Sequence, residues 1–261
     1  MKSLLARIRS QHPLLQSIYR CWQQALPRVK NCVICHDRSP QSICAACEDY
    51  LTRNHHCCRR CGEPLSQQIR TTATCGRCLR QAPSIDKTFA PLIYQAPLNK
   101  LIHDFKQNRQ LPIGQALGEL MVDSLLQNHR HNHQTMPDYL VAVPLHWRQL
   151  WQRGFNQSAF LTQLISDYCG IPILKGLYRV RRASEQKHLT RQQRLQNLKH
   201  CFTLKRPLQG EHIAIVDDVM TTGATANTIA ALLKKAGAGT VSVWVIARTP
   251  KPSSQAPDSP A

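Results

Sequence analysis

From Phe89 onward the chain alternates short apolar runs with amphipathic stretches. "FAPLIY" reads as a strand, "LNKLIHDFK" and "IGQALGELMVDSLLQ" repeat apolar residues at helical spacing, and "DYLVAVPL" reads as a second strand. A further helix is predicted over "FNQSAFLTQLISDYC", then the strand "HIAIVD", the helix "TANTIAALLKKAGA" ending near Gly237, and the strand "TVSVWVIAR". Strand, turn, helix, strand, with strands that are apolar throughout, is the βαβ unit of a parallel sheet covered on both faces. The fold class expected is therefore α/β. Between the second helix and "DYLVAVPL" lies the polar "NHRHNHQTMP", where His129, His131 and His133 either bind a metal or sit in a solvated loop.

The pattern is different before Phe89. Residues 31–82 carry little apolar material, so burial alone cannot fold them and something else must hold the segment. Eight of the twelve cysteines lie there as four C-x-x-C pairs: Cys32 and Cys35, Cys44 and Cys47, Cys58 and Cys61, Cys75 and Cys78. One such turn aims both sulfurs at a single ion about 2.3 Å from each, so four pairs supply two tetrahedral zinc sites, closed and structural. An iron–sulfur cluster or a redox dithiol is the alternative chemistry. Pairing in sequence order is the simplest arrangement and a cross-braced one is the other; Cys57 could also stand in for Cys58.

Composition adds a charge argument. Lys and Arg outnumber Asp and Glu by 34 to 15, a formal net charge of +19, which favours polyanionic partners: nucleic acid, phosphorylated metabolites or anionic lipid. Residues 1–30 form a basic arm without acids and with helical apolar spacing, read either as a docked helix or loose arm, or as a membrane-surface or targeting segment. A second basic stretch runs from Lys175 to Arg206, and within it Arg179, Arg181 and Arg182 are candidate nucleic-acid contacts. Trp147, Trp151 and Phe155 lie among arginines and could stack on bases, with core packing as the competing fate for at least two of them. Reduced C-x-x-C thiols point to the cytoplasm, and no run reaches the roughly 18 apolar residues of a spanning helix. The expected organisation is arm 1–30, zinc module 31–82, α/β domain 83–248 and a Pro/Ser-biased disordered tail 249–261.

One stretch concentrates chemistry. In "IAIVDDVMTTGAT" an apolar strand meets Asp217 and Asp218 and then a Thr/Gly turn that opens a helix. Backbone N–H groups at such a turn, with the hydroxyls of Thr221, Thr222 and Thr225, suit a phosphate monoester, and Gly223 lets the backbone approach it closely. Two carboxylates beside a phosphate need other work: accepting hydrogen bonds from vicinal hydroxyls, or addressing Mg²⁺ through its waters. No G-x-x-x-x-G-K-[ST] is present, which argues against a Walker-type site.

The run from Ile213 to Thr225 resembles the phosphoribosyl-pyrophosphate (PRPP) signature of type I phosphoribosyltransferases. With the four upstream C-x-x-C pairs, and with "VPLHWRQLWQRGFNQS" and "QKHLTRQQRLQNLKHCF", the chain resembles the ComF family of competence-associated proteins, including its GntX-like members. That resemblance implies a type I phosphoribosyltransferase-like parallel sheet flanked by helices, after a small N-terminal double zinc-ribbon module. By the same resemblance Asp217 and Asp218 contact the ribose hydroxyls of PRPP bound with Mg²⁺, and Thr221, Thr222, Gly223, Ala224 and Thr225 take its 5′-phosphate. Val143, Pro144, Leu145 and His146 fall in the pyrophosphate loop, with Arg148 and Arg153 as anion ligands; Gln186, Arg194 and Asn197 fall in a lid. Lys106 stands where the family tends to carry a lysine before a short glycine turn, here replaced by "QNR". The family setting implies DNA uptake in natural transformation, with single-stranded DNA and other DNA-uptake proteins as partners. An active phosphoribosyltransferase with an unidentified acceptor, and a PRPP or nucleotide sensor without turnover, are the alternatives.

Overall fold

The computed structural model describes residues 30–65, 74–132, 135–180 and 201–251. The chain divides between Cys47 and Glu48 into two compact units. In the first, β1 (Lys30–Asn31) and β2 (Arg38–Ser39) pair antiparallel around a tight turn, with the Cys32 N–H donating to the Asp37 carbonyl at 2.8 Å. A short helix, α1 (Ala45–Asp49), carries Cys47 at the end of this unit.

The second unit holds α2 (Gly76–Arg80), β3 (Lys87–Phe89), β4 (Leu92–Ile93), α3 (Leu98–Gln107), α4 (Leu111–Asn132), β5 (Tyr139–Ala142), α5 (Trp147–Arg153) and α6 (Gln157–Cys169). After them come β6 (Leu177–Arg179), β7 (Phe202–Leu204), β8 (His212–Met220), α7 (Ala224–Lys235) and β9 (Thr240–Arg248). The main sheet is parallel throughout, in the order β3–β9–β8–β5, with β4 also pairing with β9. Its central strands are buried nearly end to end, as strands covered on both faces must be. Ile213 and Ile215 of β8, with Val241, Val243 and Val245 of β9, pack with Ile229, Ala230 and Leu233 of α7 in one core. Elsewhere α6 packs on β5 and β8, and α4 packs on α3, α6 and β9. Gly114 of α4 is required by that packing, because a Cβ there would lie 2.2 Å from the Phe105 ring of α3.

Three elements differ from the pattern reading. "FAPLIY" is divided into β3 and β4, both laid on β9. The helix α4 continues through His129 and His131 to Asn132, so those histidines are helical and not in a loop, while His133 lies outside the described residues. Among the described residues the groups of three or more metal-ligating side chains are the two cysteine ones, and neither His129 nor His131 joins them. The ends of the basic stretch Lys175 to Arg206 pair as antiparallel β6 and β7. No helix among the described residues is long and apolar enough to cross a membrane.

Candidate functional site

The cysteines group in sequence order. The Sγ atoms of Cys32, Cys35, Cys44 and Cys47 lie within 4.8 Å of one another, and so do those of Cys58, Cys61, Cys75 and Cys78. Tetrahedral coordination at about 2.3 Å separates sulfurs by about 3.8 Å, and Cys35 to Cys44 is 3.8 Å while Cys61 to Cys75 is 3.6 Å. Burial first, and then the neighbouring thiols, push Cys47 up to about 12, whereas hydrogen bonding from Cys61 holds Cys58 down at about 4. Four crowded thiolates need a cation among them, and the all-sulfur donor set fits zinc. Cys57 is half-buried beside the second group and is not one of its ligands.

The two groups differ in setting. Cys35 of the first is exposed. In the second, Cys58, Cys61 and Cys78 belong to the same buried core as β8, β9 and α7. Hydrogen bonds from one backbone and one side-chain donor fix this group to the sheet: the Thr88 N–H donates to the Arg59 carbonyl at 2.9 Å, and the Asn54 side-chain Nδ2 donates to the carbonyls of Gly62 and Ala90 at 3.0 and 3.1 Å.

The carboxylates do not end their strand, because β8 runs on through Val219 and Met220, paired with Ala247 and Arg248 of the equally long β9. Val219 and Met220 are thus strand residues and not part of the turn. Asp218 is buried and meets Lys106 of α3, with Nζ to Oδ1 at 2.9 Å; its Oδ1 also accepts the Val219 N–H at 2.6 Å. Asp217 Oδ1 accepts the Ser158 hydroxyl of α6 at 2.7 Å and the Asp218 N–H at 2.9 Å. Burial first, then the Asp218 charge, push the Asp217 carboxyl up to about 7 against the pull of Ser158, the Asp218 N–H and Lys106.

Beyond Met220 the turn opens. Thr221 and Thr222 are exposed, Gly223 takes left-handed φ +76° as the residue before α7, and Thr222 Oγ1 accepts the Ala224 N–H at 3.3 Å. Asn227 N–H donates to the Gly223 carbonyl at 2.9 Å, which leaves the first-turn N–H groups of α7, including those of Thr225 and Ala226, without intrahelical acceptors.

The segment after β5 is only partly a loop. Val143, Pro144 and Leu145 lead to His146, which is buried and caps α5 by accepting the Arg148 N–H at 3.3 Å. The Val143–Pro144 bond is trans. Asn156 Nδ2 donates to the Val143 carbonyl at 3.1 Å and so holds the loop against the start of α6. Arg153 Nη1 donates to Gln157 Oε1 at 3.3 Å, and Gln157 Nε2 donates to the Lys106 carbonyl at 3.3 Å, which links this arginine to the lysine that faces Asp218. Arg148 points instead to Trp147, with its guanidinium 5.2 Å from the ring centre. Trp147 and Trp151 are 63% and 87% exposed, so the expected core packing of at least two of the three aromatics does not occur; Phe155 is half-buried, with its ring centre 5.4 Å from that of the buried Phe105.

Arg179 stacks over Phe202 at 5.7 Å on the β6–β7 pair. Gln186, Arg194, Asn197, Arg181 and Arg182 lie outside the described residues. Reading the sequence missed Ser158, which "GFNQS" carries with no distinguishing signal. It also missed the ion pair of Lys106 with Asp218, which joins residues far apart in the chain.

Residues 21–79 match the double zinc ribbon domain family. Over 208 residues the chain is 38% identical to DNA utilization protein YhgH of Escherichia coli strain K12, covering 79% of this chain and 90% of that protein. Competence protein F of Haemophilus influenzae is 34% identical over 224 residues, 83% of this chain and 96% of its own. Among solved structures, the glutamine PRPP amidotransferase from B. subtilis superposes with TM-score 0.35 at 19% identity, over 51% of this chain and 26% of that one. A purine phosphoribosyltransferase from Pyrococcus horikoshii gives TM-score 0.32 at 20% identity, over 54% and 80%. The sequence relatives, matched along nearly their whole length, carry the assignment: the chain belongs to the ComF family, with competence protein F and DNA utilization protein YhgH as relatives, and in it a double zinc ribbon precedes a parallel sheet flanked by helices.

Proposed function

We propose that the protein binds PRPP with Mg²⁺, or a closely related phosphoribosyl ligand, at Asp217, Asp218 and the turn from Thr221 to Thr225, and that it serves DNA uptake in the cytoplasm by handling incoming single-stranded DNA. One observation carries the ligand reading: two adjacent carboxylates and a Thr/Gly helix start share one strand-to-helix junction, with Lys106 and Ser158 facing the carboxylates. The carboxylates suit vicinal hydroxyls or the waters of Mg²⁺, and the turn suits a phosphate monoester. The names of the relatives, one a DNA utilization protein and one a competence protein, support the DNA setting.

A catalytic version of the site, a phosphoribosyltransferase, is favoured by the chain of contacts from Arg153 through Gln157 to Lys106. It holds the Arg153 guanidinium beside the segment where the family resemblance puts departing pyrophosphate, and a cation there stabilises charge that develops as the bond to the anomeric carbon breaks. Release of pyrophosphate from PRPP, measured with and without candidate acceptors, separates transfer from binding alone.

The raised Asp217 carboxyl gives the ligand reading a pH signature. Below about pH 7 the group holds a proton in the free protein, so a ligand that needs the carboxylate must first displace it. PRPP affinity is therefore expected to rise with pH across about 5.5 to 8.5, by up to tenfold per unit on the acid side. Titration calorimetry of wild type beside Asp217→Asn checks this, because the titration of PRPP itself is common to both proteins and only the wild type carries the additional dependence. Equal pH profiles would remove Asp217 from the contact.

The nucleic-acid part rests on the net charge of +19 and on two exposed tryptophans beside arginines. Single-stranded DNA should bind with little sequence preference and weaken steeply with salt, at a log–log slope of about −0.7 per neutralised phosphate. Trp147→Ala with Trp151→Ala should weaken binding by about 1–3 kcal/mol per stacked base without changing that slope. Changing Arg179, Arg181 and Arg182 to Ala should make the slope shallower. Fluorescence anisotropy of labelled single strands over a salt series reads both effects, and no binding even at low salt would end the DNA reading while leaving the PRPP site standing.

A further inference from the structure

Arg248 ends β9 at 0% exposure, and a fully buried guanidinium persists only when its donors are met. Its Nη2 pairs with Glu63 Oε2 at 2.5 Å and its Nε donates to the Cys61 carbonyl at 3.0 Å. Its Nη1 donates to the carbonyls of Met220 at 2.9 Å, of Thr249 at 2.6 Å, and of Thr221. Glu63 is held in turn by the Lys251 N–H at 2.8 Å, and the Met220 carbonyl also accepts the Thr249 N–H at 3.1 Å. One side chain thus ties together a member of the second cysteine group, the residue two beyond it, and the two peptides that lead into the Thr/Gly turn.

We propose that Arg248 is the positioning residue of the phosphate turn, and that it fixes the turn's backbone against the second cysteine group so that the order of one depends on the other. The physical basis is peptide planarity. In a trans peptide the N–H points opposite to the C=O of the preceding residue. Drawing the Met220 and Thr221 carbonyls onto a buried guanidinium therefore turns the N–H groups of Thr221 and Thr222 away from it, toward the side on which an anion can approach. Lysine cannot reproduce this, because a point-like ammonium lacks the planar fork that reaches a carboxylate and several carbonyls at once. Because Cys61 supplies one of those carbonyls, whatever fixes the cysteine group also fixes one end of the clamp.

The part of this inference that concerns ligand affinity rests on reading Thr221 to Thr225 as a phosphate site; the part that concerns backbone order does not. The test uses the full, zinc-loaded chain as wild type, Arg248→Lys and Glu63→Gln. Amide hydrogen exchange is read over Met220 to Ala226 and separately over the interiors of β8 and β9, and PRPP with Mg²⁺ is titrated in parallel. In both variants, exchange in the turn should accelerate about tenfold while the strand interiors keep their protection, and PRPP affinity should fall about tenfold. Withdrawing zinc from the second group with a chelator, at a temperature well below the lowered melting transition of the sheet, should accelerate exchange in the turn more than in the strand interiors. Unchanged exchange in the turn of either folded variant overturns the clamp, and a uniform loss of protection reduces Arg248 to a general support of the fold and overturns it equally. Turn protection that survives metal removal overturns the link to the cysteine group. Should Arg248→Lys fail to fold, Glu63→Gln decides the matter; should wild type not bind PRPP, the phosphate reading fails and exchange still decides the clamp.

Discussion

Replacing Asp217 and Asp218 together by alanine is expected to abolish Mg²⁺-dependent PRPP binding while the protein stays folded. The double variant removes every carboxylate oxygen at the junction, so a ligand would lose two or more charge-assisted hydrogen bonds of about 1.5–3 kcal/mol each, a weakening of at least about 100-fold. Folding should survive, because Asp217 carries a carboxyl already pushed up by burial and Asp218 serves mainly to pair with Lys106. Losing that pair leaves a lysine that can swing toward solvent, which costs less than stranding a fully buried charge. Calorimetry on the variant, with circular dichroism to establish that it is folded, reads the outcome. Unchanged affinity in a folded double variant would show that the carboxylates do not contact the ligand.

The second large effect concerns the metal groups, which should respond unequally. Cys58→Ser removes a sulfur from a site embedded in the core of β8, β9 and α7, so zinc loss there should lower the melting temperature of the whole sheet-containing unit. Structural zinc contributes on the order of 10 kcal/mol to small zinc domains, so losing even a fraction of that removes a large share of the roughly 5–15 kcal/mol margin of a typical domain. Cys32→Ser acts in the unit that ends at Cys47 and should disorder that unit while leaving the sheet's melting transition nearly unmoved. Metal analysis with scanning calorimetry on both variants checks this. Equal losses of sheet stability, or preparations that contain iron or no metal, would contradict it.

How far the sequence could be read follows from which residues advertise their surroundings. The strands β8 and β9 were legible because burial on both faces demands unbroken apolar residues, and the cysteine groups because C-x-x-C turns impose their own spacing. By contrast α5, "WRQLWQR", buries no residue, so no apolar period marks it, and it is recognised as a helix only from its His146 cap and the left-handed Gly154 that ends it. The last turn of α4 was hidden for the same reason: backbone hydrogen bonding continues past the point where burial stops, and His129 and His131 carry no pattern. The carboxylates and the Thr/Gly turn could be read as a candidate site from local chemistry. Their neighbours Lys106 and Ser158, and Arg248 beneath the turn, are brought there by tertiary folding from distant positions; Lys106 was marked only by the family resemblance and without its partner Asp218, and no local rule identifies the other two.

The most direct test of the proposed site is a calorimetric titration of the zinc-loaded wild-type chain with PRPP, with and without Mg²⁺ and with and without a single-stranded oligonucleotide. Saturable binding at about one ligand per chain, dependent on Mg²⁺, is expected, with a matching rise in melting temperature at saturating ligand. No heat and no thermal shift with PRPP and Mg²⁺, in protein shown to be folded and to carry two zinc ions, would contradict it.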